Sequence, residues 1–155
     1  MIFISHRKID EDKAKAIQQY ISRDGVESYL DVLDPEIKTA TDITKHIISQ
    51  LRKCSHLIAI FTNNTKGSLW VPFELGAAYE GKKGIGTYIH GLSDYELPDY
   101  LEAFPIMKSS SGLDKYLEVY KTDRRYQKLF ESERTAAYEG PDEFIKNLKA
   151  RLGQK

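Results

Sequence analysis

The run His56 to Phe61 (HLIAIF) is almost unbroken in its apolar character and is followed at once by the polar cluster Thr62, Asn63, Asn64, Thr65. A strand with one wet face alternates apolar and polar residues, whereas an unbroken run requires both faces to be covered. Such burial is the signature of a central strand in a parallel sheet with helices on both sides. The constraint reaches the whole chain, because every neighbouring strand must then be reached by a helical crossover.

The remaining sequence supplies those crossovers. Ile2 to Ser5 reads as a first strand, and the stretch from Asp10 to Asp24 aligns Ala14, Ile17 and Ile21 on one helical face before Gly25 stops it. Val26 to Asp31 reads as a second strand, and Asp31 to Thr41 as an acidic, proline-containing loop. From Asp42 a second helix aligns Ile43, Ile47 and Leu51. Pro72 suits the first turn of a third helix, which aligns Val71, Leu75 and Ala78 and puts Glu74 in that first turn. Gly84 to Gly91 is a fourth strand, and Phe104 to Met107 a short fifth at the sheet edge. From Leu113 the pattern is helical, with Tyr116, Leu117, Tyr120, Tyr126, Leu129 and Phe130 as core candidates, and Pro141 opens a last helix through Leu152.

The expected architecture is therefore an open α/β sheet of about five parallel strands flanked by helices. Residues 1–110 form its sheet core and residues 111–155 a helical C-terminal part of the same single domain. A chain of 155 residues with 41% hydrophobic and 30% charged residues suits one such globular unit. Lysine plus arginine and aspartate plus glutamate balance at 23 each, so no global field draws it to nucleic acid or an anionic membrane. The single cysteine, Cys54, excludes an internal disulfide and fits a reducing cytoplasm, as does the lack of a secretory signal or membrane-spanning run.

Ligands of open parallel sheets gather beyond the C-terminal strand ends. There the first strand delivers Ser5, His6, Arg7 and Lys8, the second Asp31, and the third the Thr62 to Thr65 cluster followed by Trp70, Phe73 and Glu74. Cations, aromatic planes and a carboxylate on one rim fit a dinucleotide, whose pyrophosphate takes cations and whose bases take aromatic faces. The plainer reading stays open beside it: Trp70 and Phe73 as packing residues, Glu74 as a helix-end charge, Arg7 and Lys8 as a solvated pair. No GxxxxGK[ST] loop is present, GxGxxG is absent after the first strand, and the four histidines lack metal-site spacing. A phospho-receiver would need an acidic pair after the first strand and an aspartate ending the third, where this chain has Ser5, His6 and Thr62, Asn63.

The motifs FISH (Phe3 to His6), YLD (Tyr29 to Asp31) leading into an acidic loop, SHLIAIFT (Ser55 to Thr62) and SLWVPFELGAA (Ser68 to Ala78) resemble, in order and spacing, those of the TIR domain family. The resemblance runs through Met1 to Gly91 and fades in the last third. It implies a flavodoxin-like fold, and a loop from Asp31 to Thr41 that lies over a nucleotide site and takes part in TIR-to-TIR assembly. Enzymatic members cleave NAD, as substrate and without a cofactor, using a glutamate in a WxxxE arrangement that maps onto Trp70 and Glu74. Members often have tyrosine or arginine where this chain has His6, so the contacts of His6, Arg7 and Lys8 do not carry over. By resemblance to the short TIR proteins of Thoeris-type antiphage systems, the expected role is a signal-generating enzyme acting through a separate effector. A non-catalytic TIR scaffold and a nucleoside deoxyribosyltransferase-like enzyme are the alternatives.

Overall fold

The computed structural model describes residues 1–30, 39–133 and 140–155, without the side chains of Tyr126 and residues 129–133. Five strands, β1 (Ile2–Ser5), β2 (Ser28–Leu30), β3 (His56–Phe61), β4 (Gly84–Ile89) and β5 (Ile106–Met107), form one sheet in the order β2-β1-β3-β4-β5. Every adjacent pair is parallel. Among the described residues five α-helices accompany them: α1 (Glu11–Ser22), α2 (Ala40–Lys53), α3 (Trp70–Glu80), α4 (Ser110–Glu133) and α5 (Pro141–Leu152).

Side-chain alternation along β1 and β3 divides the core into two layers. Ile2, Ile4, Ile58 and Ile60 face α1, α4 and α5, meeting Ala14, Ile17, Ile21, Tyr116, Leu117, Phe144 and Leu148. Phe3, Leu57, Ala59 and Phe61 face α2 and α3, meeting Ile47, Leu51, Val71, Leu75 and Ala78. All six residues of β3 are buried, as its unbroken apolar run demands.

The helices start and stop where local chemistry dictates. Gly25 ends the first crossover at φ +71, a conformation that penalises any side chain. Thr39 caps α2 by accepting from the Asp42 amide, which moves the helix start ahead of Asp42. Pro141 opens α5, and α4 begins at Ser110, three residues before Leu113. β2 is shorter than Val26 to Asp31 at its front end, and Asp31 itself lies outside the described residues, as does most of the acidic loop. Tyr116, Leu117 and Tyr120 are core residues, whereas Tyr126, Leu129 and Phe130 belong to the side chains not described. Among the described residues no helix is long and apolar enough to cross a membrane.

One start differs from expectation in a way that matters. α3 begins at Trp70, so Pro72 is its third residue, and Glu74 falls in the second turn. Proline lacks only an N–H that the first turn does not need, and is tolerated at any of these early positions.

Candidate active site

The strand order contains one reversal. The chain leaves β1 outward to β2, then returns across β1 to β3, so the crossovers on either side of the β1/β3 boundary run to opposite faces of the sheet. The crevice beyond the C-terminal ends of those two strands is where open α/β sheets take ligands.

The candidate residues of β1 stand on that crevice. Ser5 pairs in register with Ala59 and is wholly buried, and alternation turns it toward the α3 face with Phe3. Its hydroxyl has no hydrogen-bond partner among the described residues, an arrangement that costs free energy unless water or ligand satisfies it. His6 is half-buried, and its Nδ1 lies 3.3 Å from the Ile4 carbonyl, which folds the ring back over its own strand. Arg7 is exposed and donates from Nη1 to the Asn64 carbonyl at 2.6 Å, while Lys8 is fully on the surface. Asp31 lies outside the described residues.

Across the crevice, Thr62 to Thr65 form a tight helical turn with reciprocal caps. The Thr62 amide donates to Thr65 Oγ1 and the Asn64 amide to Thr62 Oγ1, both at 2.9 Å. Two further bonds tie this turn to the segment after β4, from Asn63 to the Gly91 carbonyl at 3.3 Å and from Lys66 to Glu96 at 2.8 Å. Lys66 and Ser93 hold the Glu96 carboxyl down to about 2.

The turn leads into α3. Trp70 and Phe73, 38% and 40% exposed, meet edge to face with ring centroids 5.8 Å apart. Leu69 beside them is 84% exposed, so the helix enters on an apolar, solvent-facing corner rather than in the core. Glu74 is 3% exposed, one helical turn beyond Trp70 and therefore on the same face. The structure thus brings Ser5, Arg7, the Thr62 to Thr65 turn, Trp70, Phe73 and Glu74 to one rim.

Asp10 was not among the sequence-derived candidates and belongs to this rim. It is wholly buried, and its Oδ2 accepts from Thr62 Oγ1 at 2.7 Å while Oδ1 accepts from Asn64 Nδ2 at 2.9 Å and Lys13 Nζ at 3.3 Å. Burial pushes this carboxyl up, but the three donors outweigh it and hold it below the usual carboxylate range. Its partners stand 52 and 54 residues away, a link that no local pattern carries.

Among the described residues no group of three or more histidine, cysteine or acidic side chains could hold a metal. Cys54, buried at the end of α2, has its thiol pushed up by that burial, which disfavours the reactive thiolate.

With this geometry, two likenesses take on meaning. Residues 2–119 match the TIR domain family. A protein of Bacillus cereus (strain MSX-D12) described as a probable 3' cyclic ADP-D-ribose synthase, ThsB', is 30% identical over 137 residues, covering 81% of this chain and 70% of that protein. The parallel five-stranded sheet, the reversal at β1 and β3 and the match across most of its length place one conclusion beyond the resemblance of short motifs: the chain belongs to the TIR domain family.

Proposed function

We propose that this TIR domain cleaves NAD at the nicotinamide glycosidic bond, with Glu74 as the catalytic residue and the β1/β3 crevice as the substrate site. The observation that carries the reading is a buried carboxylate one turn from Trp70 and next to Phe73, a part-exposed aromatic pair, at the sheet end where α/β folds take nucleotides.

The chemistry asks little of an acid catalyst. As the bond between C1′ and the pyridinium nitrogen breaks, its electron pair neutralises the ring, and the ribosyl centre becomes an oxocarbenium-like cation. An ionised Glu74 beside the ribose accepts hydrogen bonds from its hydroxyls and stabilises that cation electrostatically, more strongly in a dry site than in water. Because Glu74 lies in the second turn of α3, the helix end adds little to its ionisation. Trp70 and Phe73 wall the nicotinamide, Ser5 offers its buried hydroxyl to the ribose, and Arg7 and Lys8 face the pyrophosphate, with His6 at its margin.

Capture of the cation by water, which then loses a proton, gives ADP-ribose; capture by a group of the same nucleotide gives a cyclic isomer. The name of the Bacillus cereus relative supports the cyclic outcome. The product would then act as a cytoplasmic messenger in antiphage defence, read by a separate effector. The exposed corner of Leu69, Trp70 and Phe73 supports assembly of several copies during activity.

The test is product analysis by chromatography and mass spectrometry after incubating NAD with concentrated wild-type protein and with Glu74→Gln. Nicotinamide released only by the wild type supports the proposal, and a second product lighter than ADP-ribose by one water identifies cyclisation. NAD left intact by both, with partner binding indifferent to the substitution, favours a scaffold, and turnover of deoxynucleosides instead favours a deoxyribosyltransferase-like activity.

A further inference from the structure

We infer that Asp10 is a positioning residue that locks the β1–α1 and β3–α3 loops into one rigid rim across the crevice. The inference rests on the reading of that rim as the NAD site and extends it to a residue that never touches substrate.

Three observations lead there. Asp10 occupies the N-cap position of α1, where an aspartate ordinarily accepts from an amide of its own helix. Its side chain makes no such bond and turns instead across the crevice to Thr62 and Asn64. Both carboxylate oxygens accept from protein donors and the side chain is wholly buried, so no surface of it is open to a ribose.

The bonds also join the two loops that matter. Thr62 donates to Asp10 through the same hydroxyl that accepts the Asn64 amide, so the carboxylate fixes the cap of the turn preceding α3. Arg7 donates to the carbonyl of Asn64, the same residue whose side-chain amide Asp10 holds. Asn64 is therefore gripped at its main chain by the cation meant for substrate and at its side chain by the buried carboxylate. Loosening Asp10 would let the spacing between Arg7 and the start of α3 drift, and small errors in that spacing are what catalysis tolerates least.

The decisive test exchanges the partners. Asp10→Asn puts amide against amide at Asn64, whereas the double variant D10N/N64D restores one carboxylate facing one amide with their places reversed. Amide hydrogen exchange is followed at Asn64, Thr65 and Ser68 and, as reference, in β3, alongside kcat and KM for NAD. The expected result is at least tenfold faster exchange in the turn of Asp10→Asn with β3 unchanged, a fall of at least tenfold in kcat/KM, and recovery of both in D10N/N64D. Should Asp10→Asn fail to fold, Asn64→Ala removes one donor to the carboxylate while leaving the Thr62 cap in place, and is expected to loosen the same amides. Unchanged exchange in the turn, or loosening that the exchange of partners does not repair, overturns the lock. A wild-type protein inert toward NAD would refute the site reading alone, since the exchange measurements judge the lock without turnover.

Discussion

β1 and β3 lie side by side, and each end of the pair buries an ionisable side chain. Beyond the C-terminal end, Asp10 is met by a hydroxyl, an amide and an ammonium, which favour its charged form over the burial that opposes it. At the N-terminal end, His56 sits between the ring edges of Tyr120 and Phe144, with centroids 4.6 and 4.8 Å away, and burial pushes it below its usual value even with the Asp123 carboxylate 2.8 Å from Nε2. Donors converge where two loops meet beyond the strand ends, and aromatic walls converge where α4 and α5 must be fastened to the sheet. The first arrangement fixes loops, and the second fixes layers.

If that division holds, damage at the two ends should differ in kind. The largest effect belongs to Glu74→Gln, which should lower NAD turnover by about 10²–10³-fold or more with little change in melting temperature, as a group acting on developing charge does. Equal loss of stability and activity would erase the contrast. Next, His56→Ala should cost about 2–4 kcal/mol, because it opens a cavity between two rings and strips Asp123 of its neighbour. The melting temperature should fall by roughly 10 °C while kcat of the protein that stays folded is unchanged.

Acid separates the ends further. A histidine whose folded value lies below its usual 6.5 lets the unfolded chain bind the extra proton, so its contribution is complete above 6.5 and shrinks as the pH falls through that value toward the folded one. Asp10 has its folded value below 3.8, so its contribution is complete above 3.8 and is lost only in stronger acid. Melting curves between pH 7 and 5 should accordingly show a decline in the wild type that is flattened in His56→Leu and untouched in Asp10→Asn. The smallest effect is expected of Arg7→Ala, an exposed contact, with a rise of a few-fold in KM and no measurable change in melting temperature.

The same contrast explains what the sequence could reveal. The runs IFIS and HLIAIF announce buried parallel strands because covering both faces leaves no room for polar alternation. β5, two residues long, and the ends of β2 carry too little pattern to be bounded. Pro72 pointed to the first turn of α3 but not to its first residue, since proline fits several early positions, and Glu74 therefore falls one turn later than expected. Trp70, Phe73 and Glu74 were legible as a rim because one helix start carries all three. Asp10 with Thr62 and Asn64, and His56 with Asp123, were not, because tertiary folding alone brings such distant residues together and a lone aspartate before a helix reads as a cap.

Whether NAD is held at the C-terminal ends of β1 and β3 is decided by amide chemical-shift mapping of Glu74→Gln titrated with NAD, a variant expected to bind without consuming it. Shifts are expected at Ser5 to Asp10, Thr62 to Thr65 and the first two turns of α3, with His56, Gly84 and Met1 still. Shifts centred on the His56 end, or none at the rim at saturating NAD, would contradict it.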